Sequence, residues 1–565
     1  GHIFHSKSDT ETIVHLYEEM GAECVNRLRG MFAFAIWDSR HGTLFLARDR
    51  FGQKPLVYAD TGRGITFASE IKAVLQDESV PDTIDESALH DYLTYGYVPS
   101  PKTIYRSIRK LPPGSTMIWK DGHSSVDRYW TLDYTSKLNI PEDEAAEQVA
   151  AHLREATQIR LMSDVPLGAF LSGGLDSSMT SALIARFFNN RLKTFSIGFQ
   201  ESDFDESSYQ EEMTQWLKTD HHRTLVNNEK IRQHFADLVW HCEKPILRTA
   251  PVPLYLLSKL VRDNDFKVVL TGEGADEVFG GYNIFKEAKI RAFWGRHPDS
   301  RLRPMLLEKL YPYVFKNPAR GRAFLYGFYA VKPDDLEDPL LSHRIRWNNT
   351  GKNRLFFSDD LVESSSSAAL ENVFAERLPE GFADRDLLSR AQYLEMDLFL
   401  SNYLLSSQGD RPAMAHSLEI RLPFLDYRVI DFAMRLPPHW KIRGLNEKYI
   451  LKQAFNGLLP DRIRQRAKQP YRAPIREVFF SGPGGDYLDE MLAESALQKA
   501  GLFHAKKVER LLSKYRSGGS GSEVQNMAVV GILSTQLLWQ QYIENDPGSG
   551  VEPLHPDKII RKTVD

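Results

Sequence analysis

Apolar and polar residues alternate along the first part of the chain. Phe32, Phe34 and Ile36 recur at every second position, and Ser39-Arg40-His41-Gly42 then turns into Thr43-Leu44-Phe45-Leu46. A period of two places such side chains on one face of a strand, so this stretch predicts a β-hairpin. Further short strands are expected up to about Trp130, which makes the first domain β-rich.

A helical period replaces this alternation after Trp130. Ala145, Val149 and Leu153 recur at four-residue spacing behind Pro141, which predicts a helix. Strands are then predicted over 167–171, 193–199 and 267–270, with helices from Ser177 and Glu206 between them. Strands that alternate with helices favour a parallel sheet covered on both faces.

After Tyr282 helical patterns dominate, so the second half of the chain is predicted to be largely helical. The apolar run 527–533 is too short for a membrane span and predicts a buried helix. These patterns indicate an α/β protein with domains at 1–135 and 136–545, followed by a loosely held tail at 546–565.

Composition excludes several classes of partner. A formal charge of -4 and a pI near 6.5 offer no basic surface for nucleic acid or an anionic membrane. The two cysteines, Cys24 and Cys242, are far apart and have no metal-ligand spacing, which fits a reducing cytoplasm. Cys24 lies on a predicted helix, where a buried, inert thiol is expected.

The strongest chemical signal follows the strand that ends at Leu171. Ser172-Gly173-Gly174-Leu175-Asp176-Ser177-Ser178 joins this strand to a helix, and its glycines let backbone N–H groups close on phosphate oxygens. Asp176 is a candidate ligand for the magnesium ion of a nucleotide. No GxxxxGK[ST] motif accompanies it, which favours release of pyrophosphate over γ-phosphate transfer.

Three acids follow the strand 267–270, within Thr271-Gly272-Glu273-Gly274-Ala275-Asp276-Glu277. Ligands of open α/β sheets bind beyond the carboxyl ends of the strands, which is where both segments lie. We interpret Asp276 as a second magnesium ligand and Glu273 as the acid/base or ammonia-positioning group. The alternative is an acidic loop that caps a helix.

The chain resembles the glutamine-dependent asparagine synthetases, which join a class II glutaminase domain to a PP-loop synthetase domain. Beyond the two loops above, the resemblance rests on a series of ordered motifs. They are Ser8-Asp9-Thr10-Glu11, Gly30-Met31-Phe32-Ala33-Phe34-Ala35, Arg48-Asp49-Arg50-Phe51-Gly52, Leu111-Pro112-Pro113-Gly114, Asp164-Val165-Pro166-Leu167-Gly168, Thr194-Phe195-Ser196-Ile197-Gly198-Phe199 and Glu419-Ile420-Arg421-Leu422-Pro423-Phe424-Leu425-Asp426.

The resemblance implies an αββα glutaminase sandwich of the Ntn type, then a doubly wound PP-loop domain. It implies that ATP binds at Leu171, Ser172, Gly173, Gly174, Asp176, Ser177, Ile197, Thr271 and Gly272. It assigns Mg²⁺ to Asp176 and Asp276, and catalysis to Glu273 and Lys468. It also places the glutamine α-amino group on Asp9, although this sequence is equally typical of a helix cap.

Two departures from the family pattern stand out. The sequence starts downstream of the N-terminal cysteine that serves class II glutaminases as nucleophile, so we expect an incomplete glutaminase domain here. Leu247-Arg248-Thr249 stands where many members of the family carry Asp-x-Ser. Arg248 is a candidate either for binding the acceptor carboxylate or for a structural salt bridge. His221-His222 is expected to be structural.

The resemblance implies a cytoplasmic asparagine synthetase that converts aspartate, ATP and glutamine-derived ammonia into asparagine, AMP and pyrophosphate. Its partners are then small molecules, without nucleic acid or membrane, and homodimerisation stays open. Two alternatives remain. One is a PP-loop amidotransferase for another acid, such as a uronic acid, a peptide or a secondary-metabolite precursor. The other is a non-catalytic protein derived from a synthetase.

Overall fold

The computed structural model describes residues 1–62, 64–188, 191–201, 205–310, 318–364, 378–469, 471, 473–481, 486–519, 521–545 and 547. The predicted tail 546–565 therefore lies outside the described residues, apart from residue 547. Described strands and helices follow the predicted order, from a β-rich first part to a parallel sheet and then a helical second half.

The first part is a sandwich of two antiparallel sheets. One sheet has the order β1–β2–β6–β7 and the other β4–β3–β5. The strands are β1 (Ala33–Asp38), β2 (Thr43–Arg48), β3 (Val57–Asp60), β4 (Ile65–Ala68), β5 (Arg109–Lys110), β6 (Ser115–Lys120) and β7 (His123–Arg128). The helices are α1 (Asp9–Met20), α2 (Ile71–Val74) and α3 (Glu86–Tyr95), and a 3-10 helix covers Gly21–Asn26.

Alternation along β2 explains the layers. Leu44 and Leu46 join a cluster between the sheets together with Tyr58, whereas Phe45 and Ala47 face the side that carries α1. Alternate side chains of β2 therefore pack into two different cores, one on each face of its sheet. With α3 packed against the second sheet, the predicted αββα sandwich is confirmed.

The second part contains a five-stranded parallel sheet with the order β10–β9–β8–β11–β12. Its strands are β8 (Leu167–Phe170), β9 (Lys193–Phe199), β10 (Asp220–Val226), β11 (Val268–Leu270) and β12 (Glu419–Arg421). Side chains of β8 alternate between two cores: Ala169 packs near Ile184 and Phe170 near Phe195. Both faces are therefore covered, as predicted for a doubly wound sheet.

The helices of the second part are numerous and short. They are α4 (Glu142–Ile159), α5 (Leu175–Phe187), α6 (Ser207–Leu217), α7 (Asn228–Gln233), α8 (Phe235–Cys242), α9 (Pro251–Asp263), α10 (Ala275–Phe279), α11 (Asn283–Gly295), α12 (Pro318–Tyr329), α13 (Leu341–Thr350), α14 (Asp359–Ser364), α15 (Leu387–Leu394), α16 (Arg411–Met414), α17 (Tyr427–Met434), α18 (Pro438–Lys441), α19 (Tyr449–Ala454), α20 (Asp461–Arg464), α21 (Arg476–Phe480), α22 (Asp486–Met491), α23 (Glu494–Ala500), α24 (Ala505–Arg516) and α25 (Glu523–Trp539).

Shorter helical segments of other types connect them. The 3-10 helices cover Arg303–Lys309, Pro333–Glu337, Gly351–Phe356 and Pro423–Leu425. The π-helical segments cover Glu395–Leu404, Ser406–Asp410 and Gln540–Glu544. The predicted buried helix at 527–533 lies inside α25, and within the described ranges no helix combines the length and apolarity of a membrane span.

The structure differs from the sequence predictions in local details. Helix α5 begins at Leu175, two residues before the predicted start, because Gly174 provides the extended N-cap. His221 and His222 lie within β10. Strands β10 and β12 were not among the predicted strands, and the three residues of β12 carry too little periodicity to stand out from a helical region.

The order of the strands determines where a ligand can bind. From β8 the chain proceeds outward through β9 and β10, then crosses back to β11 on the other side of β8. Such a reversal opens a crevice between the carboxyl ends of the two central strands. Loops 171–178 and 271–277 begin at these two ends.

Candidate active site

The loop after β8 has the features of an anion-binding turn. Gly173 has φ +74°, a conformation that favours glycine, and Ser172 and Ser177 lie 2.9 Å apart at their Oγ atoms. Gly174, the N-cap of α5, donates its N–H to Ser172 Oγ at 3.3 Å and has no side-chain cap bond of its own. The positive end of α5 therefore faces a loop of N–H and hydroxyl groups.

The loop after β11 lies directly against the first loop. A Cβ atom at Gly272 would come 2.5 Å from the carbonyl carbon of Asp176 and 2.7 Å from the nitrogen of Ser177. Thr271 is held by its N–H, which donates to Arg421 on β12 at 3.1 Å. The crevice thus brings together nearly all the residues predicted for ATP.

Two lysines neutralise the carboxylates that meet there. Lys448 Nζ lies 2.6 Å from Asp176 Oδ2 and 2.6 Å from Asp276 Oδ1, and its side chain is 2% exposed. Lys468 Nζ lies 2.7 Å from Asp276 Oδ2, so the structure brings this predicted lysine to the site. Its N–H donates to Glu447 Oε1 at 2.9 Å.

Lys448 is a site residue that the sequence did not reveal. It follows Asn446 and Glu447 at the start of α19, in a short polar stretch that looks like a solvated helix start. It has φ 52°, which turns it out of the helix that it precedes. Only the tertiary contact with Asp176, far away in sequence, distinguishes it from a surface lysine.

Burial and charge set the protonation of the acids. Burial would raise the pKa of Asp276, but Lys448 and Lys468 outweigh it and lower the pKa to about 2. Burial and the neighbouring Glu277 raise the pKa of Glu273 to about 8. Burial raises the pKa of Glu277 to about 7, and Asp276 adds to that shift. Asp276 is therefore ionised at neutral pH, whereas Glu273 holds a proton.

The carboxylates fit a magnesium ion chemically. Asp176 and Asp276 both contact the same ammonium group, so they are close enough to share a cation, and hard oxygen ligands suit Mg²⁺. Burial raises the pKa of Asp176 in spite of the nearby Lys448, and the negative charge of Asp276 adds to that rise. A divalent cation held by both carboxylates would offset that repulsion.

A small cavity connects Glu273 to the first part of the chain. It is about 10 Å³, which is room for about one water-sized molecule, and both halves of the protein line it. The lining residues are Met31, Gln53, Glu273, Leu405, Gly409, Asp410, Ile420 and Leu422. Glu273 Oε2 is buried there without a hydrogen-bond partner, so it can form a hydrogen bond with a small polar molecule in the cavity.

Three further predicted residues lie outside these two loops, the first of them on the strand beside β8. Ile197 is half-buried on β9, where its carbonyl accepts from Gln210 at 2.8 Å. Asp9 is exposed in the first turn of α1, behind the N-cap Ser8. Arg248 pairs with Glu523 at 2.9 Å, the structural alternative that its sequence left open.

Histidines and cysteines behave as expected for structural residues. His221 contacts Thr194 and Ser196 at 2.9 Å through its two ring nitrogens, which fixes it between strands. Cys24 and Cys242 are both buried and unpaired, and burial raises the pKa of the Cys242 thiol to about 12. Neither thiol has the character of a nucleophile.

Comparisons with known proteins agree with this geometry. Residues 148–541 match the family described as Asparagine synthase, and residues 1–130 match the Glutamine amidotransferase domain. Asparagine synthetase [glutamine-hydrolyzing] 1 of Bacillus subtilis is 31% identical over 516 residues, which cover 91% of this chain and 78% of the relative. A putative asparagine synthetase [glutamine-hydrolyzing] of Mycobacterium tuberculosis is 33% identical over 531 residues, with 92% and 78% covered.

Proteins with another kind of name are also similar. Amidase chyE of Penicillium rubens is 28% identical over 544 residues, which cover 90% of this chain and 79% of the relative. Likeness at this level extends across both halves of the chain.

Proposed function

This chain belongs to the asparagine synthase family and is an ATP-dependent amidotransferase ligase, and we propose that it makes asparagine from aspartate. The observation that supports this best is the cluster of Asp176, Asp276, Lys448 and Lys468 beside the anion-binding loop. Two acids and two bases neutralise one another there, and a nucleotide with its metal would exchange these internal pairs for phosphate contacts.

The proposed first step forms an acyl-adenylate. An oxygen of the aspartate side-chain carboxylate bonds to the α-phosphorus of ATP while the bond to the β-phosphate oxygen breaks, which releases pyrophosphate. The N–H groups of the loop 172–175 bind the phosphates, and Lys468 stabilises the charge that develops on them. Asp176 and Asp276 would hold Mg²⁺, which neutralises the phosphates when bound.

The second step forms the amide. Ammonia attacks the carbonyl carbon, the bond to AMP breaks, and Glu273 in its ionised form removes the extra proton from nitrogen. The cavity between Met31, Gln53 and Glu273 has room for one molecule the size of ammonia, which supports a position for ammonia beside this carboxyl group. We also propose that the amidotransferase domain ends, and the synthetase domain begins, near residue 135.

A product analysis tests the proposal. Purified protein is incubated with ATP, magnesium, ammonium and a panel of carboxylic acids, and products are identified by mass spectrometry. We expect asparagine, AMP and pyrophosphate with aspartate, and loss of most activity in Asp276→Asn, which removes one charge at nearly constant size. ADP and phosphate in place of AMP would exclude the adenylation mechanism.

A second candidate is amidation of another carboxylic acid. The relatives named as amidases, at 28% identity over most of the chain, are the observation that favours it. The acceptor panel separates the two candidates, since an amide of a different acid, with AMP and pyrophosphate still released, would retain the mechanism and change the substrate.

A further inference from the structure

The PP loop rests on the first turn of α6. A Cβ atom at Gly173 would come 2.6 Å from Tyr209 Cβ and 2.8 Å from the nitrogen of Gln210, so the loop lies on α6 without space for a side chain. Gln210 in turn donates to the carbonyl of Ile197 at the end of β9. The loop conformation therefore depends on this helix as well as on β8.

One arginine joins the loop to α6. Arg466 Nη1 donates to the carbonyl oxygen of Gly173 at 3.1 Å, and Nη2 pairs with Glu206, the N-cap residue of α6. The guanidinium group lies 3.9 Å from the centroid of the Tyr209 ring, and the side chain is only 9% exposed. Three separate contacts hold Arg466 in one orientation, and one of them is with the loop itself.

The bond to Gly173 also orients the next N–H group. The peptide between Gly173 and Gly174 is trans, so its carbonyl and its N–H point in opposite directions. Because Arg466 holds the carbonyl on the side of α6, the N–H of Gly174 points into the loop, where Ser172 Oγ accepts it. That N–H is one of the donors that a phosphate would use.

Arg466 also fixes the segment that carries Lys468. Two residues after Arg466, the N–H of Lys468 donates to Glu447 and its Nζ contacts Asp276. Glu447 is itself paired with Lys286 at 3.2 Å. The segment thus contacts the PP loop through Arg466 and the carboxylate cluster through Lys468.

We propose that Arg466 is a positioning residue for nucleotide binding, which fixes the Gly173–Gly174 peptide toward the phosphates and docks the Lys468 segment on the PP loop. The proposal rests on the proposed binding of ATP at this loop. Arg466 does not touch the nucleotide in this scheme. Its effect reaches the phosphates through the backbone of the loop.

Equilibrium binding of a nucleotide tests the role without turnover. The probe is the α,β-methylene analogue of ATP with magnesium, titrated into the full chain by calorimetry. We expect Arg466→Ala to weaken binding by about tenfold or more, as for the loss of a charged hydrogen bond. Millimolar guanidinium should restore part of the affinity, and Arg466→Lys should be intermediate because it keeps the charge but not the two-pronged contact.

The matched control is Arg462→Ala. Arg462 lies over the same Tyr209 ring at 4.4 Å and pairs with Glu212 at 2.8 Å, but it contacts α6 and not the loop. We expect this variant to bind the analogue within about twofold of the wild type. Unfolding midpoints of every variant are measured alongside, and Arg466→Lys serves for the comparison if Arg466→Ala does not fold.

The outcomes separate the two proposals. Equal binding by the wild type and a folded Arg466 variant would remove the role of Arg466 and leave the proposed function intact. Equal weakening in Arg462→Ala would also overturn the inference, since it would show a general effect of the Tyr209 stack. Failure of the wild type to bind the analogue would overturn the proposed ATP site and the inference with it.

Discussion

The carboxyl group of Glu273 lies in surroundings that oppose its ionisation. Its Oε2 is buried without a partner, Glu277 is close by, and the pKa is raised to about 8. A group with such a pKa changes its protonation near the pH at which the enzyme works, which suits proton transfer. At the scale of single residues, burial thus turns an ordinary acid into a candidate base.

Glu273→Gln tests that role by separating the two half-reactions. We expect amide formation to fall by about 10²-fold or more because the proton acceptor is lost. Exchange of labelled pyrophosphate into ATP, which reports adenylation alone, should persist. The amide-forming step is also measured with hydroxylamine in place of ammonium. Hydroxylamine is largely unprotonated at neutral pH, so the titration of the donor does not obscure the effect of the substitution. Loss of exchange together with amide formation would contradict a role confined to the second step.

Glu273 also affects stability, and the sign follows from its raised pKa. The folded state keeps a proton between the ordinary pKa of 4.5 and about 8, whereas the unfolded state releases it. Stability contributed by this group is therefore complete below pH 4.5 and lost as the pH rises to about 8. We expect the unfolding midpoint of Glu273→Gln to rise relative to the wild type between pH 5 and pH 8, and that of exposed Glu490→Gln to follow the wild type.

Close approach of two loops defines the site at the scale of elements. Strands β8 and β11 are neighbours, and each ends in a glycine-containing loop that needs the space a side chain would occupy. Nearby, the chain between Glu395 and Asp410 is mostly π-helical and contributes Leu405, Gly409 and Asp410 to the cavity at Glu273. Irregular helices of this kind are frequent at functional sites.

Gly272→Ala tests the contact between the two loops. The added Cβ would lie 2.5 Å from the backbone of Asp176, so the PP loop has to shift. We expect nucleotide binding to weaken by about tenfold or more, together with a loss of about 1–3 kcal/mol in stability, as is typical of overpacking. Calorimetric titration and thermal unfolding measure the two effects.

Gly327→Ala is the matched control for this substitution. Its Cβ would meet nothing within 4 Å, and the residue lies inside α12. Alanine in a helix interior is expected to be neutral or to stabilise by about 0.5–1 kcal/mol. Unchanged nucleotide binding in Gly272→Ala would show that the loops adapt to one another more freely than their spacing indicates.

Charged contacts join the two halves around the cavity at the scale of the whole molecule. Lys54 Nζ lies 3.0 Å from Asp410 Oδ1, and the pKa of Lys54 is raised, because Asp410 outweighs the opposing effect of burial. Asn402 accepts from Ser100 and Lys110, which adds a second contact between the halves. These contacts therefore join the two halves beside the cavity that residues of both halves line.

A double-mutant cycle measures this connection. Lys54→Met leaves Asp410 without its ammonium partner, and we expect it to cost about 1–3 kcal/mol of stability. Asp410→Asn in the same chain should recover part of that loss, because the unpaired charge is removed. The exposed pair Lys259 and Asp263, 3.0 Å apart, provides a reference cycle with a coupling of about 0.5 kcal/mol or less. Additive effects of the two cavity-side changes would show that the ion pair does not connect the halves.

The sequence alone, through its periodicity and spacing, determined much of the secondary structure and the position of the phosphate-binding loop. Alternation predicted the hairpin of β1 and β2, and the strand at 193–199 was predicted at its observed bounds. The parallel sheet covered on both faces followed from alternating strands and helices, and the phosphate-binding loop followed from glycines and serines beside a helix start. These features are local, because each depends on residues within a few positions of one another.

Tertiary structure decided the rest, because the remaining features join residues that are far apart in sequence. Lys448 reaches the candidate site only where α19 meets the PP loop, and Arg466 contacts the loop only where its segment meets Gly173. The three residues of β12 form a strand because β11 offers them an edge. The acidic motif was visible in the sequence, but the raised pKa of Glu273 arises from burial, which is a property of the folded chain.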